Sequence, residues 1–193
     1  MKKVFAIVTI ILMVVSSIFY CCFIIKGLIH PTLMTWLIFF FAVSLSFGTY
    51  VSSANHNVWS NICNTGDLIL VFAVTIVIIF WGKNIRFDIN IFEIICILLS
   101  FIILIFWRVT KSHEISNILL QVIMVIAYFP TFFQLYYSSE NSESLIYWSI
   151  GLLAAGSGFA TGILGKDKLA MLYSGRSIVM IAILIILILR LTL

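Results

Sequence analysis

Polar side chains interrupt the third apolar segment of the chain, which begins "NVWSNICNTGDLIL". Asn57, Asn61 and Asn64 follow the spacing i, i+4, i+7 and therefore share one face of a predicted helix, with Asp67 beside that face. Asp67 is expected near the middle of its segment, where an ionised carboxylate costs several kcal/mol unless it is paired, hydrated or protonated. The pattern predicts either a wet cavity that binds a polar solute or interhelical hydrogen bonds that hold the bundle together.

A charged residue of the opposite sign lies in the last apolar segment, within "YSGRSIV". Arg176 could pair directly with Asp67, or its side chain could extend to the lipid headgroups. Tyr173 and Ser174 stand beside it as further polar candidates. In a transporter, an unpaired Asp67 could carry a proton and couple transport to the gradient, whereas an Asp67 held by Arg176 favours facilitated diffusion.

The fifth apolar segment carries polar residues and a proline. Asn117, Gln121 and Tyr128 follow the spacing i, i+4, i+11, which places them on one helical face that leads to Pro130. Proline removes one backbone donor and bends a helix. Pro130 is therefore predicted to act either as a hinge or as a static kink.

The composition identifies the elements that must position these residues. Hydrophobic residues make up 63% of the 193 residues and charged residues only 9%, with a mean hydropathy of +1.23. Soluble domains are about a quarter charged, so the chain is predicted to be an all-α integral membrane protein. A helix needs about 20 apolar residues to cross the bilayer. Seven segments meet that need: Val4–Ile25, Pro31–Ser52, Asn57–Trp81, Ile89–Val109, Ile115–Tyr137, Leu145–Leu164 and Leu169–Leu189.

An internal repeat relates the two ends of the chain. Residues Thr32–Tyr50 align with Ser144–Gly162 without a gap and are identical at six of 19 positions, including Trp36 with Trp148. The match predicts two parallel three-helix repeats, residues 1–83 and 113–193, joined by a linker helix at 84–112. The two tryptophans could stack on a solute ring or anchor the helices at the membrane interface.

This arrangement of three, one and three helices resembles the PQ-loop superfamily, which includes the SWEET and SemiSWEET sugar transporters. The resemblance rests on Pro130 in the first helix of a repeat, the following serine-containing loop "SSENSESL" and the aromatic-rich next helix. Pro130-Thr131 stands where the family has Pro-Gln. The resemblance implies a solute cavity between the two repeats. The residues that could line it are Trp36, Asn61, Asn64, Asp67, Asn117, Gln121, Tyr128, Trp148, Tyr173, Ser174 and Arg176.

The resulting hypothesis is a transporter that moves a small polar solute, such as a sugar, a nucleoside or vitamin, or an amino-acid-like molecule, by alternating access. The alternative is a non-transporting receptor or accessory subunit of the same fold. The expected partners are the solute and the lipid bilayer of the bacterial inner membrane, without nucleic acid, cofactor, metal or enzymatic activity. Two repeats in one chain remove the need to dimerise, although a homo-oligomer is not excluded. Glu140 and Glu143, in a loop, are expected to be solvated.

Overall fold

The computed structural model of the chain describes residues 1–31, 33–53, 59–82, 91–137, 139 and 141–192, apart from the side chains of residues 92, 93, 130 and 192. Regular structure in these ranges is entirely helical, as the composition predicts. The helices are α1 (Lys2–Lys26), α2 (Leu33–Val51), α3 (Ile62–Trp81), α4 (Ile91–Thr110), α5 (His113–Ile126), α6 (Phe129–Tyr137), α7 (Leu145–Gly165) and α8 (Lys168–Thr192).

Six helical spans in the described ranges are long and apolar enough to cross a membrane, with α5 and α6 together forming one of them. A seventh, shorter apolar helix covers Ile94–Thr110 within α4. The prediction of a helical, multi-pass membrane protein is confirmed at this level. The third span begins at Ile62, five residues later than predicted, and Asn57 lies outside the described residues.

The fifth span is broken close to the residue for which a hinge or kink was predicted. Helix α5 ends at Ile126, and α6 begins at Phe129, one residue before Pro130. Because proline has no N–H, it cannot donate to the carbonyl four residues earlier, at Ile126. The backbone turns through Ala127, whose N–H still donates to Ile123 at 2.8 Å. The helix is therefore interrupted just before Pro130, while a bend or a motion about this position stays a prediction.

The helices that precede α4 in sequence, α1–α3, are here called the first group, and those that follow it, α5–α8, the second group. In the first group α3 packs against both α1 and α2, and in the second α8 packs against α5, α6 and α7. The groups meet where α1 packs on α7, α2 on α5, and α3 on both α7 and α8. Helix α4 packs against α2 and α5. The two groups therefore meet along several helix pairs.

Small residues allow α7 to approach its neighbours closely. A Cβ atom at Gly158 would lie 2.8 Å from the Cβ of Cys63 in α3, a distance that real Cβ contacts do not show. Two residues earlier, a Cβ at Gly156 would meet nothing within 4 Å. The glycine at 158 is therefore needed where α3 and α7 touch, which brings the two groups together along one side of their interior.

Candidate functional site

A cavity of about 60 Å³ lies between the two helix groups. Such a volume holds on the order of four or five water molecules. Both groups supply its walls, whereas α4 supplies none of the described lining residues. Six of the eleven candidate site residues line it, namely Trp36, Asp67, Tyr128, Trp148, Tyr173 and Arg176. The other described lining residues are Met13, Ser16, Phe39, Val43, Cys63, Leu70, Val71, Met124, Tyr147, Gly151, Ala154, Ala155, Ser177 and Ile181.

Asp67 and Arg176 share the cavity without binding each other. The hydroxyl of Tyr173 donates to Asp67 Oδ2 at 2.7 Å, while the Arg176 guanidinium lies over the Tyr173 ring with Cζ 4.9 Å from its centroid. Arg176 Nε donates to Gln121 Oε1 at 3.0 Å, and Nη2 donates to Ser177 Oγ at 3.0 Å. Both charges are thus held by neutral groups, with Tyr173 between them.

This geometry differs from both arrangements predicted for Arg176. The predicted ion pair is wrong, because the carboxylate and the guanidinium take different partners. Extension to the headgroups is also wrong, since Arg176 is bound to the side chain of Gln121 and lines the cavity. Asp67 is the sixth residue of α3 and therefore lies nearer the start of its helix than the middle, contrary to the prediction. Hydrogen bonds with polar neighbours offset part of the free-energy cost of burying these two charges.

A second polar group, here called the amide cluster, consists of Ser46, Thr49, Asn64, Asn117 and Gln121. The side-chain amide nitrogens of its three amide residues lie 3.1–3.2 Å from Ser46 Oγ, so one hydroxyl joins α2, α3 and α5. Asn117 Nδ2 also donates to the Ser46 carbonyl at 2.8 Å and to Thr49 Oγ1 at 3.1 Å. Asn64, Asn117 and Gln121 are absent from the cavity lining and hold helices together. Gln121 nevertheless connects the cluster to the cavity through Arg176.

Two other candidates are buried outside the lining. Asn61 precedes α3, is 2% exposed, and has no hydrogen-bond partner for either side-chain amide atom among the described residues. Ser174 is 1% exposed, and its Oγ likewise lacks a described partner. Neither side chain is part of the cavity lining, although the sequence predicted both in one wall with Asp67 and Arg176.

The two repeat-matched tryptophans line the cavity and are buried. Trp36 is 6% exposed and Trp148 is 7% exposed, so both indoles are packed inside the bundle. The Tyr20 ring lies 5.2 Å from Trp36 and 4.2 Å from Tyr147, and the Tyr128 ring lies 6.2 Å from Trp148. Aromatic faces thus form a large part of the cavity wall, beside the two charges.

Glu143 was expected to be solvated, but its carboxylate binds two protein side chains. Its Oε2 accepts hydrogen bonds from Tyr20 in α1 at 3.2 Å and from Trp148 Nε1 in α7 at 3.0 Å. Burial raises the pKa of Glu143 to about 7, although the bonds from Trp148 and Tyr20 partly oppose that rise. The residue ties the loop before α7 to the opposite helix group. Glu140 lies outside the described residues.

Sequence reasoning missed Tyr20 and Ser46 as well as Glu143. A pattern for Tyr20 was present, because Met13, Ser16 and Tyr20 follow a helical spacing and form the buried face of α1. Ser46 stands in a run of small and polar residues that gives no indication of three amides converging on it. Such a contact depends on how three helices meet, which local spacing does not encode.

No protein-family model matches the chain, and neither a curated protein nor a solved structure is significantly similar to it. The fold and the site define the class as an all-helical, multi-pass membrane protein with a charged, aromatic-lined internal cavity. A more specific function can be inferred only from the arrangement of the residues that line the cavity.

Proposed function

We propose that the chain transports a small polar solute across the bacterial inner membrane by alternating access between two three-span units, α1–α3 and α5–α8. The observation that carries the proposal is the cavity between the units, in which Asp67 and Arg176 are held by neutral groups and not by each other. Charges kept in the interior of a membrane protein generally mark solute or ion pathways.

The pattern of helix packing supports the two-unit interpretation. If the broken span α5–α6 corresponds to α1, then α7 corresponds to α2 and α8 to α3. Exchanging the units turns the contact of α1 with α7 into the contact of α5 with α2, and both contacts exist. The central helices α3 and α8 also meet each other. Such paired contacts are expected of parallel repeats about an axis along the membrane normal, with α4 as the linker.

The cavity residues then have distinct roles in the proposed transport. Asp67 and Arg176 bind polar groups of the solute, and Tyr173 positions both. Trp36 and Trp148 offer ring faces from the two units, and the break before Pro130 supplies the flexible point in the fifth span. The resemblance to the PQ-loop and SWEET-like transporters agrees with this division of labour.

Counterflow in proteoliposomes tests the proposal. Purified protein is reconstituted with an excess of unlabelled solute inside, and uptake of labelled solute is followed for sugars, nucleosides, vitamins and amino acids. The proposal predicts transient accumulation of at least one solute above the level in protein-free vesicles. If no solute shows counterflow while one of them binds saturably, the transport function is excluded.

The second candidate is a membrane receptor or accessory subunit. It is favoured by the guanidinium of Arg176, which lies in the cavity without an acidic partner among the described residues and could bind a carboxylate presented by another molecule. Saturable binding without counterflow is the result that this candidate predicts.

A further inference from the structure

The two charges of the cavity keep capacity for further partners. Asp67 has a described hydrogen bond to one oxygen only, from Tyr173, and a carboxylate can accept about four. The described hydrogen bonds of Arg176 to Gln121 and Ser177 use two of its five N–H donors, and Tyr128 lies within reach of a third. Both residues line the same cavity, so a molecule inside it can reach an acid and a guanidinium together.

The sign of the groups restricts what such a molecule can be. An uncharged solute leaves both Asp67 and Arg176 without an opposite charge in hydrogen-bond contact, and a solute with one charge leaves one of them so. A buried charge without an opposite charge is unfavourable, whereas charge-assisted hydrogen bonds to carboxylates are among the strongest in proteins. Only a solute that carries both signs satisfies both residues at once.

We infer that the solute is a small zwitterion, whose ammonium group binds Asp67 and whose carboxylate binds Arg176. This inference rests on the proposed function of the same cavity. The spacing of the two residues, on the hydroxyl and on the ring face of Tyr173, keeps them close enough for one small molecule and prevents them from neutralising each other.

The size and the walls of the cavity narrow the class further. A volume of about 60 Å³ suits a body of few heavy atoms, in the range of the smallest amino acids, and not a disaccharide or a nucleoside. Met13, Val43 and Leu70 provide an apolar wall for a short side chain. The neighbouring aromatic rings favour an ammonium group through cation–π attraction.

A matched series of ligands tests the inference on the full-length purified protein. Alanine carries both charges, propionate lacks the ammonium group, ethylamine lacks the carboxylate, and glucose is uncharged. Binding is measured from the ligand-dependent rise in the unfolding midpoint. We expect alanine to bind at least tenfold more tightly than propionate or ethylamine, and glucose to leave the midpoint unchanged.

Four variants link this preference to the two residues. Asp67→Asn should bring alanine down to the affinity of propionate, and Arg176→Gln should bring it down to the affinity of ethylamine. Glu114→Gln and Arg190→Gln change exposed charges outside the cavity lining and should keep the wild-type order. A structural role for Asp67 and Arg176 would lower the midpoint without altering the order of the ligands.

Counterflow of labelled alanine and glucose separates the failure of this inference from that of the proposed function. Alanine counterflow with the expected order of binding supports both. Glucose counterflow without alanine binding leaves transport standing and overturns the zwitterion. Alanine binding without counterflow supports the zwitterion and overturns transport. The absence of binding and flux for all four compounds overturns both.

Discussion

The hydroxyl of Tyr173 lies 2.7 Å from the carboxylate of Asp67 and donates a hydrogen bond to it across the contact between α8 and α3. The same residue carries the Arg176 guanidinium over its ring face. One tyrosine therefore keeps an acid and a base beside each other in the interior without an ion pair. A direct pair would have closed the site to a charged ligand, so this relationship determines what the cavity can bind.

Removing that hydroxyl should destabilise the protein. Tyr173→Phe keeps the ring under Arg176 but takes away the described donor to Asp67, and a charged acceptor left without its donor costs about 1–3 kcal/mol. The free energy of unfolding in detergent is the measurement. Tyr136→Phe, at a ring that is 55% exposed, is the matched control and should change it little. Equal effects of the two substitutions would contradict the role given to Tyr173.

Ser46→Ala should weaken the contact of α2 with α3 and α5. The hydroxyl oxygen lies 3.1–3.2 Å from the amide nitrogens of Asn64, Asn117 and Gln121 and can accept from two of them at a time. Interhelical hydrogen bonds in membranes contribute about 0.6 kcal/mol on average and up to about 1.7. A loss of about 2 kcal/mol is expected in unfolding titrations. Ser44→Ala, which removes a bond within α2 to Phe40, should cost less than about 0.5 kcal/mol.

Ligand binding distinguishes the amide cluster from the cavity. Because the cluster holds helices together, Ser46→Ala should lower stability while the folded fraction keeps the affinity of the wild type. A large loss of affinity in the folded fraction would show that the amide cluster belongs to the solute site.

Two glycines of α7 should respond oppositely to alanine. Gly158→Ala places a methyl group 2.8 Å from the Cβ of Cys63 and should cost about 1–3 kcal/mol through overpacking. Gly156→Ala meets nothing within 4 Å and should be neutral or stabilise the helix by up to about 1 kcal/mol. A Gly158→Ala variant as stable as Gly156→Ala would show that α3 and α7 are not in close contact at Gly158.

Glu143 predicts a pH dependence of stability. Its pKa in the folded protein, about 7, lies above the ordinary value of 4.5, so the folded state keeps a proton that the unfolded state has already released. The contribution to stability is therefore complete below about pH 4.5 and is lost as the pH rises to about 7. Glu143→Gln should reduce this slope in unfolding titrations between those pH values, whereas the exposed Glu114→Gln should leave it unchanged. An unaltered slope in Glu143→Gln would contradict the burial of this carboxyl group.

The apolar segments and the helix break before Pro130 followed from the sequence, because length and hydropathy specify a membrane helix and proline removes one backbone bond. The start of α3 was not predicted correctly. The helical spacing of the asparagines placed it at Asn57, but the helix begins after Asn61. Six of the eleven residues that the sequence suggested line the cavity. Their partners could not be predicted, because the choice of Gln121 over Asp67 for Arg176 is made by the packing of α5 against α8.

Glu143 is a second residue whose hydrogen-bond partners could not be predicted from the sequence, this time in a loop. Its sequence context is polar, which is typical of solvated charges, yet the carboxylate binds Tyr20 and Trp148 from two different helices. Only the position of α1 beside the start of α7 creates that site. Local composition predicts whether a residue prefers water, and the tertiary contacts decide whether it obtains a partner instead.

The central claim, that the cavity opens to both sides of the membrane, is tested most directly by the modification of a single cysteine. Ala155 lines the cavity, and Ala42 is equally buried but is not among the lining residues. With the four native cysteines replaced by serine, Ala155→Cys and Ala42→Cys are treated with a hydrophilic, membrane-impermeant thiol reagent from each side of the membrane. Alternating access predicts that the cysteine at 155 reacts from both sides, that a bound solute slows the reaction, and that the cysteine at 42 stays unmodified. Reaction at 155 from one side only, or from neither, would contradict the account.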